Sequence, residues 1–166
     1  MRKQADFNPS DASHWGRGRI RPMSERTRGY AHRVDVAAHT PRVWSALTST
    51  EALGRWCSPA AQITPRPGGS FRASVDRVTE LEAHIDIFVP ERRMRLIYLP
   101  SAGMPSADCT IVDDFILDAD GESTIVRLLG SGVPAAPEWD AAYMRLRVGW
   151  ERAMTRLKVL VEKQAA

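Results

Sequence analysis

The tightest constraint on this chain lies between Thr124 and Val161. There a β-strand pattern meets a Ser131-Gly132-Val133-Pro134 break and then one long amphipathic helix. Trp139, Tyr143, Leu146, Trp150, Ala153, Leu157 and Leu160 recur every three or four residues and so share a helical face, opposite Asp140, Arg145, Arg152, Arg156 and Lys163. Pro137 suits the first turn, where its missing N–H is no loss. Glu138 and Asp140 sit near the positive end of the helix dipole and Lys158 and Lys163 near the negative end. The pattern predicts a helix over residues 137–162. One apolar-striped helix at the end of a strand-rich chain must bury its stripe on a sheet, an α+β arrangement that can enclose a ligand cavity. Trp150, near the middle of the stripe, reads as core, whereas Trp139 and Tyr143 lie nearer the loop end and are candidates for a cavity mouth.

Upstream, residues 30–37 place His32, Val34 and Val36 in alternation with Arg33 and Asp35, the period of a half-buried strand. Thr40 offers an N-cap hydroxyl and Pro41 a first-turn residue for a short helix with Val43, Trp44 and Leu47 inside; a second, residues 51–56, is capped by Ser49 or Thr50. A brief strand near Ile63, the Gly68-Gly69 turn, and alternation around Phe71, Ala73 and Val75, then Ala83, Ile85, Ile87 and Val89, then Met94, Leu96 and Tyr98 follow. Residues 108–117 and 124–130 form the last two strands, joined through Asp120-Gly121. The order β-αα-β-β-β-β-β-β-α argues for an antiparallel meander.

With 166 residues, 43% of them hydrophobic, the chain supports one sizeable core. Residues 1–29 lack apolar periodicity and read as a flexible basic tail ahead of a domain spanning 30–166, with Met23 as an alternative start. The net charge of +3 resides there: residues 1–30 hold seven Lys/Arg against three Asp/Glu, leaving one excess acid in the remainder. Arg outnumbers Lys by 20 to 3 along the whole chain, which speaks for bacterial composition bias and against a nucleic-acid surface. Cys57 and Cys109 have neither disulfide nor metal-ligand spacing, and no signal-peptide pattern or membrane-length apolar run occurs, so the expected location is the cytoplasm. His32, His39 and His84 lack partners at zinc-site spacing, so no metal is expected. No phosphate loop or nucleophile elbow is present, and neither a cofactor nor an intrinsic ATPase activity is expected.

Several segments in this order carry a family resemblance: Thr40 to Thr48, Leu53-Gly54-Arg55-Trp56, Pro67-Gly68-Gly69-Ser70-Phe71, Val89-Pro90-Glu91-Arg92-Arg93-Met94, and Gly149-Trp150 followed by Leu157 and Val161. Together they resemble the START-like (SRPBCC, helix-grip) superfamily, in the branch similar to the activator of the heat-shock protein 90 ATPase. The resemblance implies a curved antiparallel sheet of six to seven strands wrapped around a long C-terminal helix, with two short helices after the first strand. It departs at Trp56-Cys57, where many relatives have a Trp-Trp pair, and around Glu82-Ala83, where a Gly is common. The family fixes no catalytic motif, and its members bind lipid or polyketide-like ligands, act as cyclases or hydrolases, or assist chaperones.

Alternation puts Phe71, Val75, Ile85, Ile87, Met94, Leu96, Tyr98, Phe115 and Leu129 on the sheet face toward the helix, with Trp56, Tyr143 and Arg147 closing its ends. The ligand-binding candidates are Trp56, Phe71, Ile85, Met94, Tyr98, Asp113, Phe115, Tyr143, Arg147 and Trp150. Asp113 shares the parity of Ile111, Phe115 and Leu117, which places a carboxylate in an apolar row. Burial demands a partner, for which Arg127, Arg147 and Tyr98 are candidates, or else raises its pKa toward acid/base use; a bulge turning it to water is the alternative. His84 and Asp86 share a face with Glu82 and read as solvent-exposed. The leading functional expectation is binding of a small hydrophobic or aromatic ligand between sheet and helix, by a monomer or homodimer without nucleic-acid or membrane partners. The alternatives are a polyketide cyclase-like acid/base enzyme and a chaperone-associated protein-interaction module.

Overall fold

The computed structural model describes residues 26–74, 79–106 and 108–165. The meander and the helix that closes it are both present. The first strand, β1 (Thr27–Val36), leads through helices α1 (Thr40–Thr48) and α2 (Thr50–Trp56) to β2 (Gln62–Ile63), β3 (Ser70–Ser74), β4 (Glu80–Val89), β5 (Arg93–Tyr98), β6 (Val112–Asp120) and β7 (Ser123–Pro134). A 3-10 turn (Pro137–Trp139) then opens α3 (Asp140–Ala165). The curved seven-stranded sheet runs β1-β7-β6-β5-β4-β3-β2 with every neighbouring pair antiparallel, so the first strand closes beside the last. The expected element order is therefore observed. None of the described helices is long and apolar enough to cross a membrane.

The helix stripe fills the covered face of the sheet. Trp150 is fully buried, its ring edge-on to Phe115 at 5.4 Å and tilted against Phe71 at 6.4 Å. Ala142, Met154 and Val161 join the predicted stripe, since a 26-residue helix presents a face wider than one seam to a curved sheet. Three of the five residues assigned to the polar face are tied down, Asp140 by a 2.7 Å ion pair with Arg28. Arg156 donates to the Trp56 and Cys57 carbonyls (2.7 and 3.2 Å), satisfying acceptors at the end of α2. Arg145 holds two loops, as described below. The open face of the sheet carries Arg72–Glu82, Arg93–Asp114, Arg95–Asp86 and Arg127–Asp118 ion pairs, which accounts for the Arg alternating with apolar residues along these strands.

Five expectations shift in the structure. Asp86 is an extra residue between the Ile85–Leu96 and Ile87–Arg95 pairs, so the strand reverses parity there: Ile87 leaves the covered face and Phe88 takes it, 5.2 Å from Trp44. Leu129 is 42% exposed while Val126 and Leu128 are buried, because β7 keeps the parity set by outward Arg127. The Ser131–Pro134 break is instead the end of β7, paired with a β1 that starts at Thr27, where Pro134 can dispense with an N–H. Residues 108–111 precede β6 as loop. Thr40 does not cap α1; His39 takes that position and the Thr40 hydroxyl lies 3.2 Å from that of Thr124, whereas Ser49 caps α2 through the Ala52 N–H as expected. Val75 and the expected tail up to residue 25 lie outside the described residues, and residues 27–29 of that tail belong to β1.

Candidate functional site

Asp113 lies at the heart of the covered face and is fully buried. On β6 it stands between Leu96 of β5 and Gly130 of β7, and Gly130 in turn faces Tyr30 of β1. A Cβ on Gly130 would come within 2.2 Å of the Tyr30 ring. The missing side chain therefore lets that ring lie across β7 and reach the next strand. The Tyr30 hydroxyl donates to Asp113 Oδ1 at 2.7 Å, and Tyr98, the diagonal neighbour on β5, donates to Oδ2 at 2.5 Å. Three strands thus contribute to one phenol-carboxyl-phenol clasp.

The fourth member comes from α3. Among the described residues the buried Trp150 indole N–H has no hydrogen-bond partner, and it is near enough to Asp113, Tyr30 and Tyr98 to favour negative charge on each. Burial pushes the Asp113 carboxyl up to about 6, an effect only partly offset by the two phenol hydrogen bonds and the indole. Both phenols are pushed well above their usual range, by burial first and then by the Asp113 charge, so they remain donors throughout ordinary pH.

A groove of about 320 Å³ runs beside this clasp, between the β5–β6 loop and the 3-10 turn that opens α3. Leu99, Met104, Cys109, Ile111 and Trp139 give it a largely apolar lining, and Tyr98 belongs both to its wall and to the clasp. Arg145 fastens the loop side: its Nη2 donates to the Gly103 carbonyl at 3.1 Å and its Nε to Thr79 Oγ1 at 2.8 Å, linking α3 to the segments before β4 and after β5.

The structure sorts the ten residues expected at a ligand site into three groups. Trp56, Phe71, Ile85, Met94, Phe115 and Trp150 are core side chains at most 1% exposed, and the Trp56 indole donates to the Ala46 carbonyl at 2.9 Å. Tyr98 and Asp113 are joined in the clasp. Tyr143 borders the clasp, its ring 6.3 Å from that of Tyr30, but its hydroxyl donates to the Gly29 carbonyl (2.9 Å) with Arg28 stacked 4.4 Å above the ring, and Arg147 is exposed. Of the partners expected for Asp113, only Tyr98 reaches it, since Arg127 is engaged with Asp118. Asp113 is not turned to water.

Sequence reasoning missed Tyr30, Gly130 and the Met104–Cys109 loop. A glycine in mid-strand, the mark of close approach by another group, was the available signal for the first two. Cys57 is buried and its thiol pushed up to about 12, consistent with an inert core thiol, and Asp86 is exposed and paired with Arg95. Among the described residues no group of three His, Cys, Asp or Glu is placed to hold a metal.

Comparison with known proteins places this architecture. The family described as Activator of Hsp90 ATPase homolog 1-like protein matches residues 37–162. Protein MLL2253 from Mesorhizobium loti superposes with a TM-score of 0.70 at 21% identity, covering 82% of this chain and 98% of its own. CalU16 from Micromonospora echinospora gives 0.63 at 21% identity over 84% and 79%. The Aha1 dimer from Colwellia psychrerythraea gives 0.65 at 17% identity over 81% and 96%. No curated protein matches the chain. At these identities the structural likenesses speak for the fold alone.

Proposed function

Since the chain belongs to the Activator of Hsp90 ATPase homolog 1-like family, whose shared fold leaves the task open, we propose that it binds a small hydrophobic or aromatic molecule at the end of the sheet where the β5–β6 loop meets the 3-10 turn that opens α3. Entry is by the groove under the β5–β6 loop. The observation that carries this reading is the groove itself: about 320 Å³, lined by more apolar than polar surface, with Tyr98, whose phenol is hydrogen-bonded to Asp113, in its wall. That is the size and lining of a small-molecule site, in which few polar groups orient an otherwise apolar guest. The reading keeps the protein in the cytoplasm as a monomer or homodimer.

Titration with a neutral aromatic fluorophore such as N-phenyl-1-naphthylamine tests it. Saturable one-to-one binding that is abolished by Met104→Trp, a substitution that fills the groove without touching the clasp, is the expected result. Non-saturating emission, or binding indifferent to that substitution, removes the groove as the site.

A second reading, acid/base chemistry on an aromatic or polyketide-like substrate, is favoured by one observation: a fully buried carboxyl, pushed up to about 6 by that burial, hydrogen-bonded to Tyr98 of the groove wall. On this reading Asp113 exchanges a proton through Tyr98. Turnover of any such substrate that survives Asp113→Asn unchanged excludes it.

A further inference from the structure

Resting on the groove reading, we propose that the clasp is the polar end of the binding site and that it selects molecules carrying a neutral hydroxyl, a phenol or an alcohol, on an apolar body. The argument is a count of donors and acceptors. Both phenol O–H groups are committed to Asp113, one to each carboxyl oxygen. What the clasp still offers is one donor, the Trp150 indole N–H, and the acceptor lone pairs left on Tyr30 Oη, Tyr98 Oη and the carboxyl oxygens. A hydroxyl has the complementary set: its oxygen accepts from the indole and its hydrogen goes to a phenol or carboxyl oxygen.

Other head groups fit worse. A carboxylate or sulfonate brings negative charge against Asp113 in a site from which water is excluded, where like charges repel strongly. An ammonium has no lone pair for the indole N–H, and a bare hydrocarbon leaves that donor as unsatisfied as before. Tyr98 joins the two, being the one residue of the groove lining that belongs to the clasp.

The test uses the full chain labelled with ¹⁵N at neutral pH. The sequence holds five Trp, and the Trp150 indole resonance is assigned by its loss in Trp150→Phe. Three probes of one shape are titrated: 2-naphthol, naphthalene and 2-naphthoate. The expected result is that naphthol binds about tenfold more tightly than naphthalene, the gain from one neutral hydrogen bond, and alone moves the Trp150 indole proton downfield, with naphthoate weakest. Tyr98→Phe, which removes a phenol oxygen and keeps the ring, should reduce the naphthol advantage while leaving naphthalene binding as it was. If naphthol and naphthalene bind equally, or bind without moving the Trp150 signal, hydroxyl selection is refuted and the groove reading stands. If the fluorophore and all three probes fail to bind, both fall together.

Discussion

Replacing Asp113 by Asn removes a charge from a fully buried position while keeping nearly the same shape and one carbonyl acceptor; the phenol facing the new amide can rotate to accept from it. In the folded protein the Asp113 carboxyl is raised from 3.8 to about 6 by burial. A carboxyl raised on folding holds its proton more tightly in the native state than in the unfolded chain. Its contribution to stability is therefore complete below pH 3.8 and is lost as the pH rises through about 6. The loss is roughly the shift multiplied by 1.4 kcal/mol per unit, on the order of 3 kcal/mol. Asn cannot ionise and does not incur it. Relative to wild type, Asp113→Asn should gain about 2 kcal/mol between pH 4 and pH 8, the rest of the loss having occurred below pH 4, whatever its offset at pH 4. Urea unfolding followed by Trp fluorescence at pH 4, 5, 6, 7 and 8 measures the difference. Asp35 and Glu162 are lowered, by the Arg33 hydrogen bond and by the Ala37 N–H respectively, and so act in the opposite sense. They do so in both proteins and cancel in the comparison. A difference that is flat with pH, or that favours wild type more at pH 8, would refute the claim that Asp113 is buried as a strained anion.

Three further outcomes follow from the same geometry. Gly130→Ala should cost about 1–3 kcal/mol by pushing the Tyr30 ring off Asp113 and leaving a carboxyl oxygen unpartnered; most of that cost should vanish in a Tyr30→Phe background, as a double-mutant cycle in denaturant will show. Arg145→Ala should leave global stability within about 1 kcal/mol of wild type but speed amide hydrogen exchange in the β5–β6 loop, since α3 loses its bond to the Gly103 carbonyl. Under a thiol-specific reagent at pH 8 the native protein should label at half-buried Cys109 and spare Cys57, whose buried thiol is held at about 12, with both reacting once urea unfolds the chain.

The fold was legible because its signals are local. Period-2 alternation and one helical stripe decide which residues turn inward, and the Asp120-Gly121 turn, with Gly121 at φ 61°, decides where β6 meets β7. The misreadings arose where a register depends on a partner strand. Residues 82–87 alternate cleanly before the apolar run Ile87-Phe88-Val89, and pairing with β5 is what reveals that Asp86 is extra and that Phe88, not Ile87, faces the core. The clasp was half legible for a related reason: parity on β6 exposes Asp113 as a carboxyl in an apolar row, and Tyr98 is its near neighbour, but Tyr30 is 83 residues away. No local pattern connects the two.

Asp113, Gly130 and Trp150 each break a rule of stable folding on their own. A core carboxylate is commonly outdone by an apolar residue of its size, a mid-strand glycine weakens its strand, and an indole N–H buried without a partner forfeits a hydrogen bond. Were each an independent imperfection, they would have no reason to meet. Instead the glycine admits the tyrosine that holds the carboxyl, and the carboxyl and its two phenols are what the indole faces. The cluster also touches the groove through Tyr98. Local compromises that converge on one point beside an apolar groove are the pattern expected of a site shaped for a guest rather than for stability alone. This is why the hydroxyl-bearing probe, and not the bare ring, is the informative ligand.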